Sequence, residues 1–384
     1  MNSSIQQTLL TDFANEKANK VISSCVHCGF CLATCPTYQL LGDELDSPRG
    51  RLYLMSSALE GNQVSFDTLK HLDRCLTCRS CETTCPSGVE YSQLLDIGRD
   101  FLETKRPLWQ KIYRTLIRKF LTTPILFRPI GFFFRHSAKV GKKKQVDNAE
   151  RRVLLLGGCV QPTLAPNINH SIHNILAKLN IAVVESPQSQ CCGAIDQHLA
   201  ASGEALRKVK NNIDIWQAQL ENGIEVILSS ASGCGVMVKD YPVLFNKENK
   251  YHSKALLVAS KTQDIAEFLA QEDLSQLRLS EKNISYHEPC TLQHGQRLGG
   301  AVEALLSQFG YTQSPVRDAH LCCGSAGTYS ILQPKLAKEL RLNKINHLTE
   351  SNPQMIVTSN IGCLMHLQKG SSVPVKHWVE LLDG

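Results

Sequence analysis

Residues 25–36 read CVHCGFCLATCP, and residues 75–86 repeat the same spacing as CLTCRSCETTCP. In each stretch, two residues separate each of the first three cysteines, and a fourth cysteine stands directly before a proline. Two-residue gaps allow three thiolates of one tight loop to reach three irons of a cubane, whereas zinc needs only two pairs of thiolates. The two stretches therefore predict two [4Fe–4S] clusters.

The cysteine before the proline binds the other cluster in two-cluster proteins with this spacing. We name the two predicted clusters by their expected ligands. Cluster I would be held by Cys25, Cys28, Cys31 and Cys85. Cluster II would be held by Cys75, Cys78, Cys81 and Cys35. Such crossed ligation would keep the clusters close enough for fast electron exchange.

The remaining eight of the 16 cysteines form a duplication. The first copy has Cys159, Cys191, Cys192 and Cys234, and the second has Cys290, Cys322, Cys323 and Cys363. The first three positions are shifted by 131 residues and the last by 129, and a glycine follows each Cys-Cys pair. Matching spacings and glycines indicate an internal repeat, and we name the two copies CCG modules.

Each CCG module alternates strand-like and helix-like sequence. RVLLLGGC, IAVVES and EVILSSASGC are typical of strands, with NHSIHNILAKLN and GEALRKVKNNIDIWQAQLENG as helices between them. The second copy repeats this pattern with ISYHEPC, VEALLSQFG and PQMIVTSNIGC. This alternation predicts parallel sheets, with the first and last cysteines of each module just past strand ends. We therefore expect the four thiols of a module to converge at one edge.

Several chemistries suit the CCG thiols. They could bind a further iron–sulfur cluster or a zinc ion, work as a redox-active thiol pair, or be buried as small apolar residues. His287, Glu288 and His294 lie beside Cys290 in YHEPCTLQHGQ. A histidine there could be a ligand or a proton shuttle, or a hydrogen-bonded structural residue.

The region before the modules predicts helices around the two cysteine motifs. Ser47-Pro48 favours the start of a helix that runs through RLYLMSSALEG to Gly61, and YSQLLDIGRDFLET predicts another. The chain is thus predicted as an α+β multidomain protein. Its parts are an α-helical ferredoxin-like domain (1–104), a basic aromatic linker (105–150), CCG module 1 (151–250) and CCG module 2 (251–384).

The net charge of +6 comes from one segment. Residues 105–144 contain 12 Lys and Arg and no Asp or Glu, which leaves 29 basic and 35 acidic residues elsewhere. With its aromatic residues, this segment is typical of an interfacial membrane-binding stretch, or of a linker packed on the ferredoxin-like domain or on a partner. No nucleic-acid reader accompanies the charge, so nucleic-acid binding is not expected.

Composition places the chain among soluble globular proteins. Apolar residues make up 42% and charged residues 20%, and no stretch is long and apolar enough to span a bilayer. The first 20 residues lack the apolar segment of a signal peptide. We expect a cytoplasmic protein, in which clustered cysteines indicate metal or redox chemistry rather than disulfides.

These motifs carry a family resemblance. The stretches CVHCGFCLATCPTYQLLGDELDSPRGRLYL and DRCLTCRSCETTCPSGVEYSQLLDIGRD, with YHEPCTLQHGQ, DAHLCCGSAGTYSILQP and NIGCLMHL, resemble the iron–sulfur subunit of bacterial glycolate oxidase. More distantly similar are the iron–sulfur subunits of anaerobic glycerol-3-phosphate dehydrogenase, lactate-utilisation proteins and heterodisulfide reductase. The resemblance covers nearly the whole chain and is weakest in the basic segment.

The resemblance implies an electron-transfer subunit of a complex that oxidises glycolate, or in some cases D-lactate. FAD would sit on partner subunits, and electrons would continue to a respiratory-chain acceptor such as a quinone. Peripheral attachment to the cytoplasmic face of the inner membrane would suit that role. The alternatives are service to a D-lactate or glycerol-3-phosphate dehydrogenase, or a CCG-type thiol or disulfide reductase.

Two features limit the resemblance. Heterodisulfide-reductase relatives end each CCG group in CxxC, whereas here the fifth thiolate is replaced by Met237 and His366. Their unusual cluster chemistry is therefore not expected, although His366 could substitute as a ligand. Gly157-Gly158 lacks the GxGxxG spacing, so NAD or flavin binding by this chain is not expected.

Overall fold

The computed structural model describes residues 9–131, 133, 143–144, 146, 149–277 and 280–383. Phe132, residues 134–142 and a few further positions of the basic segment lie outside this description. The chain divides into two compact units. The first comprises Met1–Arg118, Ile195–Ser202 and His320–Lys344, and the second comprises Lys119–Ala194, Gly203–Ala319 and Ile345–Gly384.

The N-terminal part of the first unit is helical, as predicted. Its helices are α1 (Asp12–Ser24), α2 (Phe30–Ala33), α3 (Pro36–Leu41), α4 (Pro48–Leu59), α5 (Phe66–Asp73), α6 (Ser80–Thr83), α7 (Tyr91–Glu103) and the start of α8 (Leu108–Thr122), with a 3₁₀ turn at Glu44–Asp46. α9 (Pro124–Gly131) follows in the second unit.

Helix α4 begins and ends where its sequence predicts. Ser47 Oγ accepts a hydrogen bond from the Gly50 N–H at 2.9 Å, and Pro48 occupies the first turn, where no backbone donor is needed. The helix ends before Gly61, whose φ is +91°. Leu52, Met55 and Leu59 of α4 are buried in the core of this unit, where α4 packs against α7. The core thus fixes the segment between the two cysteine motifs.

The two CCG modules contain strands and helices in alternation. CCG module 1 has β1 (Arg151–Leu155), α10 (Gln161–Leu164), α11 (Pro166–Lys178), β2 (Ile181–Val184), α12 (Ala194–His198), α13 (Ser202–Glu221), β3 (Val226–Ser229), α14 (Ser232–Lys239), α15 (Lys250–Ser260), β4 (Thr262–Asp264) and α16 (Ile265–Leu269). Because β4 pairs with β3, the first module extends past the predicted boundary at residue 250. CCG module 2 has β5 (Asn283–His287), a π-helix (Thr291–Gly295), α17 (Ala301–Gln308), β6 (Thr312–Gln313), α18 (Tyr329–Leu332), α19 (Pro334–Thr349), β7 (Met355–Thr358), α20 (Ile361–Gln368), β8 (Val375–His377) and α21 (Val379–Asp383).

Both sheets are parallel, as the alternation predicts. The strand orders are β2-β1-β3-β4 and β6-β5-β7-β8, so the two modules share one topology. Val153 of β1 pairs with Val183 on one side and with Val226 on the other. Val153, Leu154 and Ile227 are fully buried, as expected of strands covered by helices on both faces.

The structure adds elements that the sequence patterns did not predict. Each sheet has a fourth strand, β4 or β8, and module 2 has the two-residue strand β6 and the 16-residue helix α19. The unpredicted strands have only two or three residues, too few for an alternating pattern to be recognised.

Candidate iron–sulfur site

The loop of the first motif has a tightly curled backbone. His27 and Gly29 both have positive φ, at 56° and 85°. The short helix α2 then carries Cys31, and Cys35 directly precedes α3 with Pro36 in its first turn. Alternation of right- and left-handed conformations turns successive backbone N–H groups toward one side, which creates a concavity for an anion or an iron–sulfur cluster.

The loop of the second motif repeats this conformation. Thr77 and Arg79 stand at the equivalent positions and also have positive φ, at 52° and 61°. Neither residue is glycine, so the tertiary structure holds both in a conformation that side chains rarely adopt. Helix α6 carries Cys81 and contacts helix α2 of the first motif. The two loops are therefore neighbouring copies of one structure.

A cavity that is partly open to solvent combines residues of both motifs. It is lined by Cys75, Cys78 and Cys81 of the second motif together with Cys35 of the first. Tyr91 also lines it, and its buried hydroxyl has no hydrogen-bond partner among the described residues. Buried hydroxyls are normally paired, so an orphan donor beside four thiols fits a cluster whose sulfides accept hydrogen bonds.

Two of the other thiols lie closer to solvent than their counterparts around the cavity. Cys28 is exposed whereas Cys78 is half-buried, and Cys85 is half-buried whereas Cys35 is buried. The backbone N–H of Arg49 donates to the sulfur of Cys31. The region around the predicted cluster I is therefore more accessible to water than the cavity around Cys35.

Burial disfavours the ionised form of these thiols. It raises the pKa of Cys31 to about 11, with the nearby Cys25 and Cys35 adding to the effect. Burial also raises the pKa of Cys81, and the negative charges of Cys78 and Cys75 raise it further. Without a metal both thiols would stay protonated at neutral pH, so metal binding must supply the energy of deprotonation.

The four cysteines of CCG module 1 form a connected set. Hydrogen bonds link Cys159 to Cys191, Cys191 to Cys192, and Cys192 to Cys234. Cys159 follows β1 and Cys234 lies on α14 after β3, so both occupy the carboxyl edge of the sheet. The structure therefore brings these four thiols together as the strand pattern predicts.

Buried polar residues hold the Cys-Cys loop in place. Asn212 of α13 donates to the Cys191 carbonyl at 3.2 Å and accepts from the Gln190 N–H at 2.8 Å. The Tyr241 hydroxyl donates to the Cys192 carbonyl at 3.0 Å. Neither residue was predicted from the sequence, although Asn212 is a polar residue on the buried face of α13 and could have been recognised by that position.

Cys191 is ionised more easily than its neighbours Cys159 and Cys192, whose pKa values are raised. Hydrogen bonds from Cys159 and Cys192 lower its pKa, and the Gly193 N–H and the positive charge of Lys208 add to this against the effect of burial. A thiolate is the form that binds metals and attacks disulfides. The site can thus serve either of the chemistries that the sequence left open.

The cysteines of CCG module 2 are divided between the two compact units. Cys290 and Cys363 belong to the second unit, and Asn360 donates to the sulfur of Cys363 at 3.8 Å. Cys322 and Cys323 belong to the first unit, and Cys322 accepts from the Gly324 N–H at 3.5 Å. Convergence of these four thiols stays a prediction.

The other polar candidates of module 2 are buried. His287 is the last residue of β5, His294 lies in the π-helix and His366 in α20. Glu288 accepts from the Gly300 N–H at 3.0 Å, and burial raises its pKa. Burial, with the nearby charge of Glu288, also raises the pKa of Glu303 to about 7, a residue that sequence analysis did not single out.

Several cations in the described part of the basic segment form ion pairs within the first unit. Arg106 and Arg114 pair with Asp73, and Arg118 pairs with Asp196 at 2.7 Å. The opposite face of α8 is apolar and exposed. Its exposed residues are Leu108, Trp109, Ile112, Tyr113 and Leu116. No helix in the described ranges is long and apolar enough to cross a membrane.

Comparisons with known proteins agree with this division of the chain. Residues 21–89 match the family model "4Fe-4S dicluster domain", and residues 153–239 and 284–368 each match "Cysteine-rich domain". The two matches to the second model correspond to the duplication found in the sequence.

Relatives of the whole chain carry related names. The glycolate oxidase iron-sulfur subunit of Escherichia coli (strain K12) is 47% identical over 98% of both chains. The probable glycolate oxidase iron-sulfur subunit of Bacillus subtilis (strain 168) is 27% identical over 90% of this chain and 88% of its own length. Lactate utilization protein A of Bacillus pumilus is 26% identical over 60% of this chain and 99% of its own. With dicluster and duplicated cysteine-rich regions in the same arrangement, this chain belongs to the family of glycolate oxidase iron–sulfur subunits.

Proposed function

We propose that this chain transfers electrons as the iron–sulfur subunit of a flavin-dependent glycolate oxidase complex. The observation that carries the proposal is the cavity in which Cys35 of one motif joins Cys75, Cys78 and Cys81 of the other. Crossed ligation of this kind is typical of proteins that hold two clusters for electron transfer. We propose glycolate as the substrate because two relatives that match along most of the chain are named as glycolate oxidase iron-sulfur subunits.

The electron count suits a two-cluster subunit. Oxidation of glycolate to glyoxylate releases two electrons and two protons, which FAD on a partner subunit would accept together. When bound, each [4Fe–4S] cluster supplies one-electron transfer. The eight cysteines of the two motifs would hold clusters I and II, and the curled loops that carry them would offer backbone N–H groups to the clusters. A respiratory quinone is the proposed acceptor.

The positions of the thiols suggest where electrons pass. Cys28 is exposed, so we propose that cluster I faces the flavin-bearing partner. Tyr329, in the same compact unit, is buried and lies within electrostatic range of Cys75 and Cys322. The residues that would hold cluster II thus share one unit with Tyr329 and Cys322, and we propose that this part of the unit would serve onward electron transfer.

The thiols of module 1 are proposed to bind a metal, either in a further cluster or as zinc. Four connected thiols and a loop fixed by Asn212 and Tyr241 support metal binding over simple burial. Iron, sulfide and zinc analysis of the purified chain, compared with a Cys192→Ala variant, would identify the ion. Unchanged metal content in that variant would contradict the proposal.

We propose that the exposed face of α8 attaches the chain to the cytoplasmic face of the inner membrane. Trp109 and Tyr113 lie on this apolar face, and Lys119 of the same helix is exposed, a combination typical of a membrane interface. Flotation with anionic vesicles tests this, with Trp109→Ser/Leu116→Ser expected to abolish binding. If the double variant floats as the wild type does, the membrane proposal is wrong and a partner subunit covers this face.

A second candidate substrate is lactate, because the shorter relative is a lactate utilization protein. The purified complex should be assayed for dye reduction with glycolate, D-lactate and glycerol 3-phosphate. We expect glycolate to be oxidised fastest, and Cys35→Ala to abolish transfer beyond the flavin. Disulfide reduction by the chain alone, without a flavoprotein, would instead support the thiol reductase alternative.

A further inference from the structure

A charged network is buried beside Cys35. The side chains of Arg51 and Asp46 are 1% and 0% exposed, and their closest atoms, Nη2 and Oδ1, are 3.2 Å apart. Asp46 also pairs with Arg74 at 2.7 Å and with His71 at 3.0 Å. Moving charged groups out of water costs free energy, and a buried ion pair often adds little to stability. A role of this network other than stability is therefore worth considering.

Arg51 contacts the thiol environment directly. Its Nη1 lies 3.9 Å from the Cys35 sulfur, and its Nη2 donates to Thr37 Oγ1 at 3.0 Å. Thr37 Oγ1 is itself 3.3 Å from the same sulfur. Arg51 and Thr37 also line the cavity that contains Cys75, so the guanidinium is next to the proposed position of cluster II.

Arg51 keeps its positive charge in this environment. Burial opposes the charge, but the neighbouring Cys75, Tyr91, Cys35 and Asp46 outweigh it and raise the pKa of Arg51. A guanidinium is also the side chain least able to lose its proton. The charge is therefore permanent, and low local polarity increases its effect on nearby groups.

The residues around the predicted cluster I are more exposed to solvent than those around cluster II. Ser87 takes the place of Thr37 after the second Cys-Pro and is exposed, whereas Thr37 is 1% exposed. Arg49, whose backbone N–H bonds Cys31, has a side chain that is 32% exposed and paired with Glu44. Water screens a charge in that position. The two cysteine motifs thus have similar backbone conformations, but only the predicted cluster II has a buried charged network beside it.

We infer that the buried Arg51–Asp46 pair sets the reduction potential of cluster II. The inference rests on the proposed function, because it takes Cys35 as a cluster ligand. A cluster becomes more negative when it accepts an electron, so a nearby cation favours the reduced state and raises the potential, while Asp46 moderates this effect. Electrons that enter at cluster I would then move toward cluster II.

The test is a redox titration of the purified complex, followed by electron paramagnetic resonance. The signal of cluster II is the one that Cys35→Ser alters. Arg51→Gln should shift its midpoint to a lower potential and leave that of cluster I unchanged. Asp46→Asn should shift the same midpoint to a higher potential. Arg49→Gln, the matched control on an arginine whose side chain is 32% exposed, should leave the midpoint of cluster II unchanged.

The opposite signs exclude a general loosening of the fold, which would move both variants in one direction. Shifts of the same sign, equal shifts of both clusters, or no shift would overturn the inference. If Arg51→Gln does not fold, Thr37→Val is nearly isosteric and should also lower the midpoint of cluster II. Absence of cluster signals in the wild type would instead refute the proposed function.

Discussion

The guanidinium of Arg118 lies 2.7 Å from the carboxylate of Asp196, although 78 residues separate them in the chain. The Asp196 side chain is fully buried and that of Arg118 is 10% exposed. The strongest run of positive charge in the sequence is therefore partly neutralised inside the first unit. The helix presents its apolar face to solvent, together with Lys119.

Removing the Arg118 side chain should destabilise the first unit. Arg118→Ala removes the cation that lies 2.7 Å from the buried Asp196 carboxylate, and we expect a loss of about 3–5 kcal/mol in the free energy of unfolding. Lys119→Ala, at an exposed position of the same helix, should change stability by less than about 0.5 kcal/mol. Urea unfolding followed by circular dichroism measures both. Equal effects of the two substitutions would show that the ion pair contributes nothing specific.

Gly50 should not tolerate a side chain. A Cβ at this position would lie 2.0 Å from the carbonyl oxygen of Glu44, a backbone atom that cannot move aside. We expect Gly50→Ala to destabilise the protein by at least about 3 kcal/mol or to prevent folding. Gly203→Ala is the control, because no atom lies within 4 Å of its Cβ, and it should stabilise α13 by about 0.5–1 kcal/mol. A Gly50→Ala variant with the wild-type melting temperature would contradict this geometry.

Asp264 should make stability fall as pH rises. Burial raises the pKa of this carboxyl to about 7, with Glu267 raising it further and Lys239, Gln296 and the Ala266 N–H acting in the other direction. An unfolded aspartate loses its proton near pH 4, so between about pH 4 and pH 7 the folded state binds more protons. Stability should decrease across that window and level off above it.

Asp264→Asn should remove this pH-dependent loss. Relative to wild type, the free energy of unfolding should increase by up to about 4 kcal/mol at pH 8 and by little at pH 4. Urea midpoints of both proteins at the two pH values test the prediction. Asp273→Asn is a control at an exposed position and should bring no gain at pH 8. A constant difference between Asp264→Asn and wild type at all pH values would mean that the carboxyl titrates normally.

Loss of one crossed ligand should affect one cluster. Cys35→Ala is expected to lower the iron content by about four atoms per chain, because Cys35 completes the ligands of cluster II. Cys192→Ala should leave the signals of clusters I and II intact. Iron analysis and paramagnetic resonance of anaerobically purified protein provide the measurement. Loss of one cluster's signal in Cys192→Ala would show that module 1 supplies a ligand to that cluster, and loss of both signals in Cys35→Ala would contradict the proposed division of ligands.

The sequence alone determined much of this protein. The spacing of cysteines predicted the two-cluster motifs, because a tight loop that offers three thiolates requires fixed short gaps. Strand–helix alternation predicted parallel sheets, and the shift of 131 residues predicted two modules of one topology. Ser47-Pro48 likewise specified the start of α4, since capping is local chemistry.

The tertiary structure decided what depends on residues far apart in sequence. It places Arg51 and Asp46 beside Cys35, assigns Cys322 and Cys323 to a different compact unit from Cys290, and turns Arg114 and Arg118 of α8 inward. It also holds Thr77 and Arg79 at positive φ, which their own preferences oppose. Spacing identifies which residues can bind a cluster, but the charges that surround it arise only when separate segments pack together, because burial and Coulomb interactions depend on distance in space.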